Sequence, residues 1–232
     1  MKNCSAILIA ALLLASLHAG FAQGFINLNF EQAQLSGLVT NSYGVSGAAV
    51  SRGWTAYFDS DSTTNLRYNA ISLGGPVVSL EGTNYVGAFP PIQGKYYMLL
   101  FGGLGSYSSA SVGQTGTIPA SAQSLIFWGS GCDVSFNSQS LSLLLLGNTN
   151  GYGIWGADIS GLAGQTGQLL FTAENGITFN RPTMPGYYPG QWVFLDNIQF
   201  SSTAVPEPET LVLAVLGASL LGFRRQRQEN FL

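Results

Sequence analysis

The sequence predicts an all-β fold, a single β-sandwich or jelly roll held between two apolar targeting segments. Three observations carry this expectation. Short apolar or alternating runs of strand length recur along residues 23–204, and none keeps a helical period. The 30 Gly and 9 Pro interrupt the chain every few residues, as turns between short strands do. Finally, no repeat of 20–50 residues appears, and strands do not alternate with helical segments, so neither a solenoid nor a parallel α/β sheet is indicated.

The first element, residues 1–22, is a secretory signal. Lys2 is its positive end, Ala6–Leu17 its apolar stretch, and Gly20 and Ala22 flank Phe21 in a small-x-small cleavage pattern. Cleavage is expected between Ala22 and Gln23. The apolar stretch falls short of the roughly 20 residues an anchor needs. Strands are then expected where Ile26, Leu28 and Phe30 alternate with Asn27 and Asn29, and where Trp54, Ala56 and Phe58 alternate with Thr55 and Tyr57. Further strand-length runs are Tyr96–Phe101, Leu125–Trp128, Leu141–Leu146, Leu169–Thr172 and Trp192–Phe200. Turn chemistry separates them at residues 74–76, 90–91, 147–151 and 182–190. One short helix is expected over Asp158–Ala163, capped by Asp158 or Ser160. Residues 23–204 suit one domain.

The chain closes with Val205-Pro206-Glu207-Pro208-Glu209, an apolar run through 210–223, and the basic cluster Arg224, Arg225 and Arg227. The prolines stop any preceding element and hold the chain extended. Leu211–Phe223 reaches roughly 20 Å as a helix against a hydrocarbon core of roughly 30 Å, a marginal transmembrane span. Its arginines stay cytoplasmic, which leaves Pro206-Glu207-Pro208 on the outer side. These residues resemble the PEP-CTERM sorting signal of Gram-negative bacteria. The resemblance covers residues 205–227 and implies recognition by an exosortase, a membrane transpeptidase-like enzyme, with processing near Pro206-Glu207-Pro208. It implies export through the inner membrane to the cell surface, outer membrane or extracellular matrix, in an exopolysaccharide- or biofilm-forming organism. Residues 205–232 then form the sorting segment.

Two stretches of the core carry a second resemblance. Asn27-Leu28-Asn29-Phe30-Glu31 and Phe194-Leu195-Asp196-Asn197-Ile198-Gln199-Phe200 are similar to the first and last strands of galactose-binding-like jelly rolls, and residues 157–171 to a late segment of such modules. The resemblance implies adjacent terminal strands and a structural Ca²⁺ near them, with Glu31 and Asp196 as side-chain ligands. Six to eight oxygens would be needed, so carbonyls or water must join them. Simple capping of strand ends by the two acids is the alternative.

Composition excludes several functions. Charged residues are 8% of the chain, against roughly 25% in ordinary soluble domains. Eight Lys plus Arg in a chain of net charge −3 cannot build a nucleic-acid face. With 14 Phe, 10 Tyr and 4 Trp the chain is not disordered. The one histidine, His18, lies in the signal, so the mature chain has no histidine for a catalytic triad or a metal site. Cys132 is left as the sole mature cysteine, without a basic neighbour to activate it. Asp59-Ser60-Asp61 begins like a Ca²⁺ loop but has Thr64 and Ala70 where the required Gly and Glu belong, and reads as a polar hairpin. No motif pairs two of the eight core acids for glycoside hydrolysis. Sugar contact is expected of Tyr187 and Tyr188, on a proline-bounded loop, and then of Trp155. Trp54, Trp128 and Trp192 are expected in the core. The function expected is non-catalytic binding or structure in an extracellular polysaccharide. A protein-binding adhesin module and a polysaccharide hydrolase or lyase are the competitors.

Overall fold

A computed structural model describes residues 24–34, 39–41, 44–46, 52–63, 66–69, 76–82, 92–102, 108–174 and 192–206. The signal segment, Tyr187, Tyr188, Glu207, Pro208, the C-terminal apolar run, and Arg224, Arg225 and Arg227 lie outside these residues.

Among the described residues the chain is almost entirely strand. In order come β1 (Val39–Asn41), β2 (Gly44–Ser46), β3 (Thr55–Phe58), β4 (Asp61–Thr63), β5 (Arg67–Tyr68), β6 (Val77–Gly82), β7 (Tyr96–Phe101) and β8 (Ser109–Thr117). They are followed by β9 (Ser124–Gly129), β10 (Asp133–Phe136), β11 (Gln139–Ser140), β12 (Leu144–Thr149), β13 (Tyr152–Asp158), β14 (Thr166–Glu174) and β15 (Trp192–Ser201). A six-stranded sheet runs β11-β10-β14-β8-β3-β4 and a seven-stranded sheet β12-β13-β9-β15-β7-β6-β5, while β1 and β2 pair by themselves. The β5–β6 pair is parallel. The long β8–β14 and β9–β15 pairs are antiparallel, as in a meander or Greek-key sandwich.

The two sheets bury one shared core. Ala56, Val112, Val134 and Phe171 of the six-stranded sheet meet Leu80, Leu100, Phe127 and Leu195 of the seven-stranded one. A relay of rings crosses between the layers. Phe30 lies 5.4 Å from Trp54, Trp54 6.2 Å from Phe171, and Phe171 5.4 Å from Phe127 in an edge-on contact. Burying side chains of this size stabilises by about 1.5–3 kcal/mol each.

The outer faces differ. On the six-stranded sheet neutral polar groups pair across strands, Ser111 with Thr172 at 2.9 Å, Thr117 with Thr166 at 2.8 Å, and the Gln168 amide donating to the Tyr57 hydroxyl at 2.8 Å. Neutral hydroxyls and amides, from the buried Ser111 to the exposed Thr117–Thr166 pair, thus stand where charges would otherwise pair. On the seven-stranded sheet the outer face is a second apolar layer of Ile92, Tyr97, Leu99, Tyr152 and Phe194, flanked by Trp128 and Trp192. Ser79 and Glu81, opposite Leu99 and Tyr97, are buried with it. The unbroken apolar strings Tyr96–Phe101 of β7 and Trp192–Leu195 of β15 follow from this, because a stretch buried on both faces cannot alternate.

Three expectations are corrected. Residues 26–30 do not form a strand. Asn27 and Phe30 take left-handed backbone (φ 51° and 58°), which turns the chain. The Gln114 amide then substitutes for a ladder, its oxygen accepting from Ile26 N at 2.6 Å and its nitrogen donating to Ile26 O at 3.0 Å. The segment reaches the last strand through the Ile198 N–H donating to Leu28 O at 2.9 Å. Second, β12 starts at Leu144 and runs through Thr149, so the turn contracts to Asn150-Gly151. Both residues have positive φ (49° and 81°), the two-residue hairpin for which Asn-Gly is the strongest short signal. Third, the helix over Asp158–Ala163 is a single 3-10 turn, Ser160–Leu162, with Asp158 Oδ1 accepting from Ser160 N at 2.8 Å.

Candidate functional site

The sorting tail leaves the fold at a defined place. After β15 ends at Ser201, the Ser201 hydroxyl accepts from Thr203 N at 3.0 Å, and the Ser124 hydroxyl donates to Thr203 O at 2.7 Å. Val205 is half-buried, close enough to Gly156 that an added Cβ there would lie 3.2 Å from its methyl and would also press on Leu146. Pro206 is exposed. The motif therefore begins directly where the sandwich ends, beside edge strand β12. That edge carries Leu145 and Leu146, 48% and 38% exposed.

Glu31 and Asp196 do come together, on one loop. Glu31 Oε1 accepts from Lys95 N at 2.6 Å and Tyr96 N at 3.0 Å. Asp196 Oδ2 accepts from Gln93 N at 2.9 Å, and its Oδ1 from Asn197 N at 2.7 Å. Gly94 sits between, at φ 63°, and any side chain there would collide with the Glu31 carboxylate. The groups facing these oxygens are N–H donors, and among the described residues no cluster of three His, Cys, Asp or Glu gathers. Two carboxylates satisfied by backbone N–H groups fit a loop clamp and do not fit a Ca²⁺ shell of six to eight oxygens. Chelator treatment is accordingly expected to leave the melting temperature unchanged. A Ca²⁺-dependent rise would return Glu31 and Asp196 to the role of ligands.

Burial pushes the Asp196 carboxyl up to about 7, reinforced by the nearby Glu31 charge and opposed by its two backbone hydrogen bonds. The folded chain thus holds a proton there that the unfolded chain loses near pH 4. Stability from this group is complete below that pH and is lost progressively as pH rises from about 4 to about 7, by an amount on the order of 4 kcal/mol. Melting temperature should fall between about pH 4.5 and 7 and level off above that, and Asp196→Asn should flatten that slope. An equal slope in the variant would contradict the assignment.

Beside this clamp opens a cleft of about 530 Å³ lined by Phe25, Asn27, Asn29, Gln32, Arg52 and Asn197, with Ile26, Leu28 and Ile198 between them. Its frame is rigid. Asn27 is buried, with its Oδ1 accepting from Gln32 N at 2.9 Å and its Nδ2 donating to Arg52 O at 3.2 Å. The Trp54 indole donates to Asn27 O at 3.0 Å. Asn197 forms a bulge in β15 at φ 47°, and its Oδ1 accepts from Gln199 at 2.8 Å. Two non-glycine residues of left-handed backbone, Asn27 and Asn197, therefore line one cleft. Such strain gathers at functional sites.

The other singled-out residues have structural partners. Trp155 lies half-buried on β13, its indole donating to Gly129 O at 3.3 Å. Trp54 is in the core, and Trp128 and Trp192 pack on the outer apolar layer. Cys132 is buried, and burial together with the Asp133 charge drives its thiol far above the ordinary range. Asp59 closes the β3–β4 hairpin at φ 51°, its Oδ1 accepting from the N–H and hydroxyl groups of Ser108 and Ser109 at 2.8–3.0 Å. Those bonds, led by the Ser108 hydroxyl, hold its carboxyl below the usual range. Sequence reading passed over Asn27, Arg52 and Asn197. The available signal for the two asparagines was Asn27-Leu28-Asn29 and Asp196-Asn197, since after glycine Asn is among the residues that most readily adopt left-handed backbone; nothing marked Arg52.

No curated protein and no solved structure matches the chain. Residues 204–228 match the family model of the PEP-CTERM protein-sorting motif. That match begins at Ala204, within the stretch that fastens the tail to the sandwich. The chain is a β-sandwich carrying a PEP-CTERM signal, the mark of a protein exported across the inner membrane and sorted by an exosortase to the cell envelope or beyond.

Proposed function

We propose that this is a non-catalytic polysaccharide-binding protein, released or anchored at the cell surface or in the extracellular matrix after its tail is processed. The observation that carries the reading is the amide-lined cleft held open by strained backbone at Asn27 and Asn197. Planar amides pair with vicinal hydroxyls, and a few fixed polar groups in a shallow concavity are what a sugar site requires. The non-catalytic part is supported by the buried, unactivated Cys132 and by the engagement of Glu31, Asp59 and Asp196 with backbone donors. The galactose-binding-like jelly roll belongs to the same reading, supported by the contact of residues 24–34 with β15 at Ile198.

The test is retention of the exported full chain, purified in detergent, on a panel of neutral and acidic polysaccharides. Retention by a member of the panel is expected; none by any member overturns the reading. Turnover of a polysaccharide that a single carboxylate substitution abolishes would overturn the non-catalytic part. One observation favours the adhesin alternative, the exposed Leu145 and Leu146 on edge strand β12. A strand with no outer partner among the described residues, and with apolar side chains exposed, suits strand addition by another protein.

A further inference from the structure

We propose that the cleft between residues 25–32 and the β15 bulge takes a hexuronate unit of an acidic polysaccharide, with the Arg52 guanidinium on its carboxylate. This rests on the polysaccharide-binding reading and names the sugar class that reading leaves open.

The first argument is charge. Between Gln23 and Ala204 the chain has eight acids and four bases, Arg52, Arg67, Lys95 and Arg181. Yet among the described residues no acid lines this cleft, and Arg52 is the one charged group there. The two acids next in sequence to lining residues are engaged by backbone donors. Glu31 is spent on the Lys95 and Tyr96 N–H groups, and Asp196 on those of Gln93 and Asn197. Arg52 is exposed and makes no ion pair among the described residues. Its carbonyl is fixed by the buried Asn27 amide at 3.2 Å, so the backbone from which the side chain projects is held. An unneutralised guanidinium at a fixed root, in a chain of net charge −3, selects for an anion. Its planar fork pairs a carboxylate with two parallel hydrogen bonds.

The second argument is the rest of the lining. Asn29, Gln32 and Asn197 offer amide groups for ring hydroxyls, and the Asn197 amide is oriented by Gln199. Phe25 supplies an aromatic surface, backed by Phe200 at a centroid distance of 5.1 Å and seated over Gly116, where a Cβ would strike its ring. Aromatic surface, neutral amides and one guanidinium together match the apolar ring face, the hydroxyls and the single carboxylate of a hexuronate. A cleft of about 530 Å³ lies within the usual range for small-ligand sites.

The experiment measures binding of the exported full chain to galacturonate and glucuronate oligosaccharides, to their methyl esters, and to neutral hexose oligosaccharides of equal length. The free acids are expected to bind at least tenfold more tightly than the esters, with a preference that weakens as salt rises. Arg52→Ala should remove that preference, and Arg52→Lys should restore part of it. Because the side chain is exposed, both variants should melt like the wild type, which separates loss of binding from loss of fold. Combining Arg52→Ala with the ester should cost no more than either change alone, as for two ends of one contact. Equal binding of neutral and acidic sugars, or acid preference that survives in Arg52→Ala, overturns the uronate site while leaving polysaccharide binding standing. No binding to any sugar overturns both.

Discussion

Gly129→Ala should destabilise the sandwich by about 3 kcal/mol or more, a large share of the total for a domain of this size. Gly129 ends β9 at φ 148°, where it pairs with Gly153 on one side and Leu195 on the other. A Cβ there would fall on the Phe194 carbonyl oxygen, which already accepts from Ser130 N at 2.9 Å. The obstruction is backbone of a central strand, not the far end of a flexible side chain. Relief requires moving β15, which carries Phe194, Leu195 and Asp196 and so both apolar layers and the loop clamp. The Trp155 indole, donating to Gly129 O, would move with it. Urea denaturation compares this variant with Gly161→Ala, where no atom lies within 4 Å of the added methyl and the change should stay within about 0.5 kcal/mol. If both variants unfold at the same urea concentration, this account of the β9–β15 junction is wrong.

Replacing Pro206, Glu207 and Pro208 with alanine should leave a larger, membrane-held precursor in place of the processed protein. The reason is steric as well as chemical. Val205 is half-buried beside Gly156 and Thr203 is tied to the Ser124 hydroxyl, so the motif has no slack linker before it. Proline at 206 and 208 donates no backbone hydrogen bond and biases the chain toward an extended form. Alanines carry no such restriction. Fractionation and intact mass of the chain from wild-type and exosortase-deficient hosts measure the effect. The triple variant should resemble the wild type made without exosortase. An unaltered mature mass would refute processing at this motif.

Much of the sandwich was legible because strand signals are local. The runs over Trp54–Phe58, Tyr96–Phe101, Leu125–Trp128, Leu169–Thr172 and Trp192–Phe200 fall in or against β3, β7, β9, β14 and β15. The apolar alternation at 26–30 misled, because what decides its conformation is not local. Gln114, 88 residues away, takes both backbone groups of Ile26, and Trp54 takes the carbonyl of Asn27. The expectation for Leu141–Leu146 and its long turn gave the apolar run priority over Asn150-Gly151. Pairing of β12 with β13 resolved it in favour of the turn.

The site divides the same way. Glu31 and Asp196 were found from sequence, and the structure does bring them to one loop. Their partners are the N–H groups of Gln93, Lys95, Tyr96 and Asn197, and no pattern of side chains announces a backbone donor. Trp155 stands apart from that loop, with its indole committed to Gly129.

What the chain's order of residues determined by itself is its address, its fold class and its poverty of charge. The motif matched over residues 204–228 is a linear signal, and its apolar run and arginines have their meaning in sequence order alone. The tertiary structure decided where the remaining charge counts. Residues 25–32, Arg52 and Asn197 meet only because sheet pairing and the Asn27 turn bring them together, while the same packing ties the neighbouring acids to backbone donors. Net charge adds over the whole chain, but a ligand meets only the few groups that line its cleft. An acidic protein can in that way present a cation.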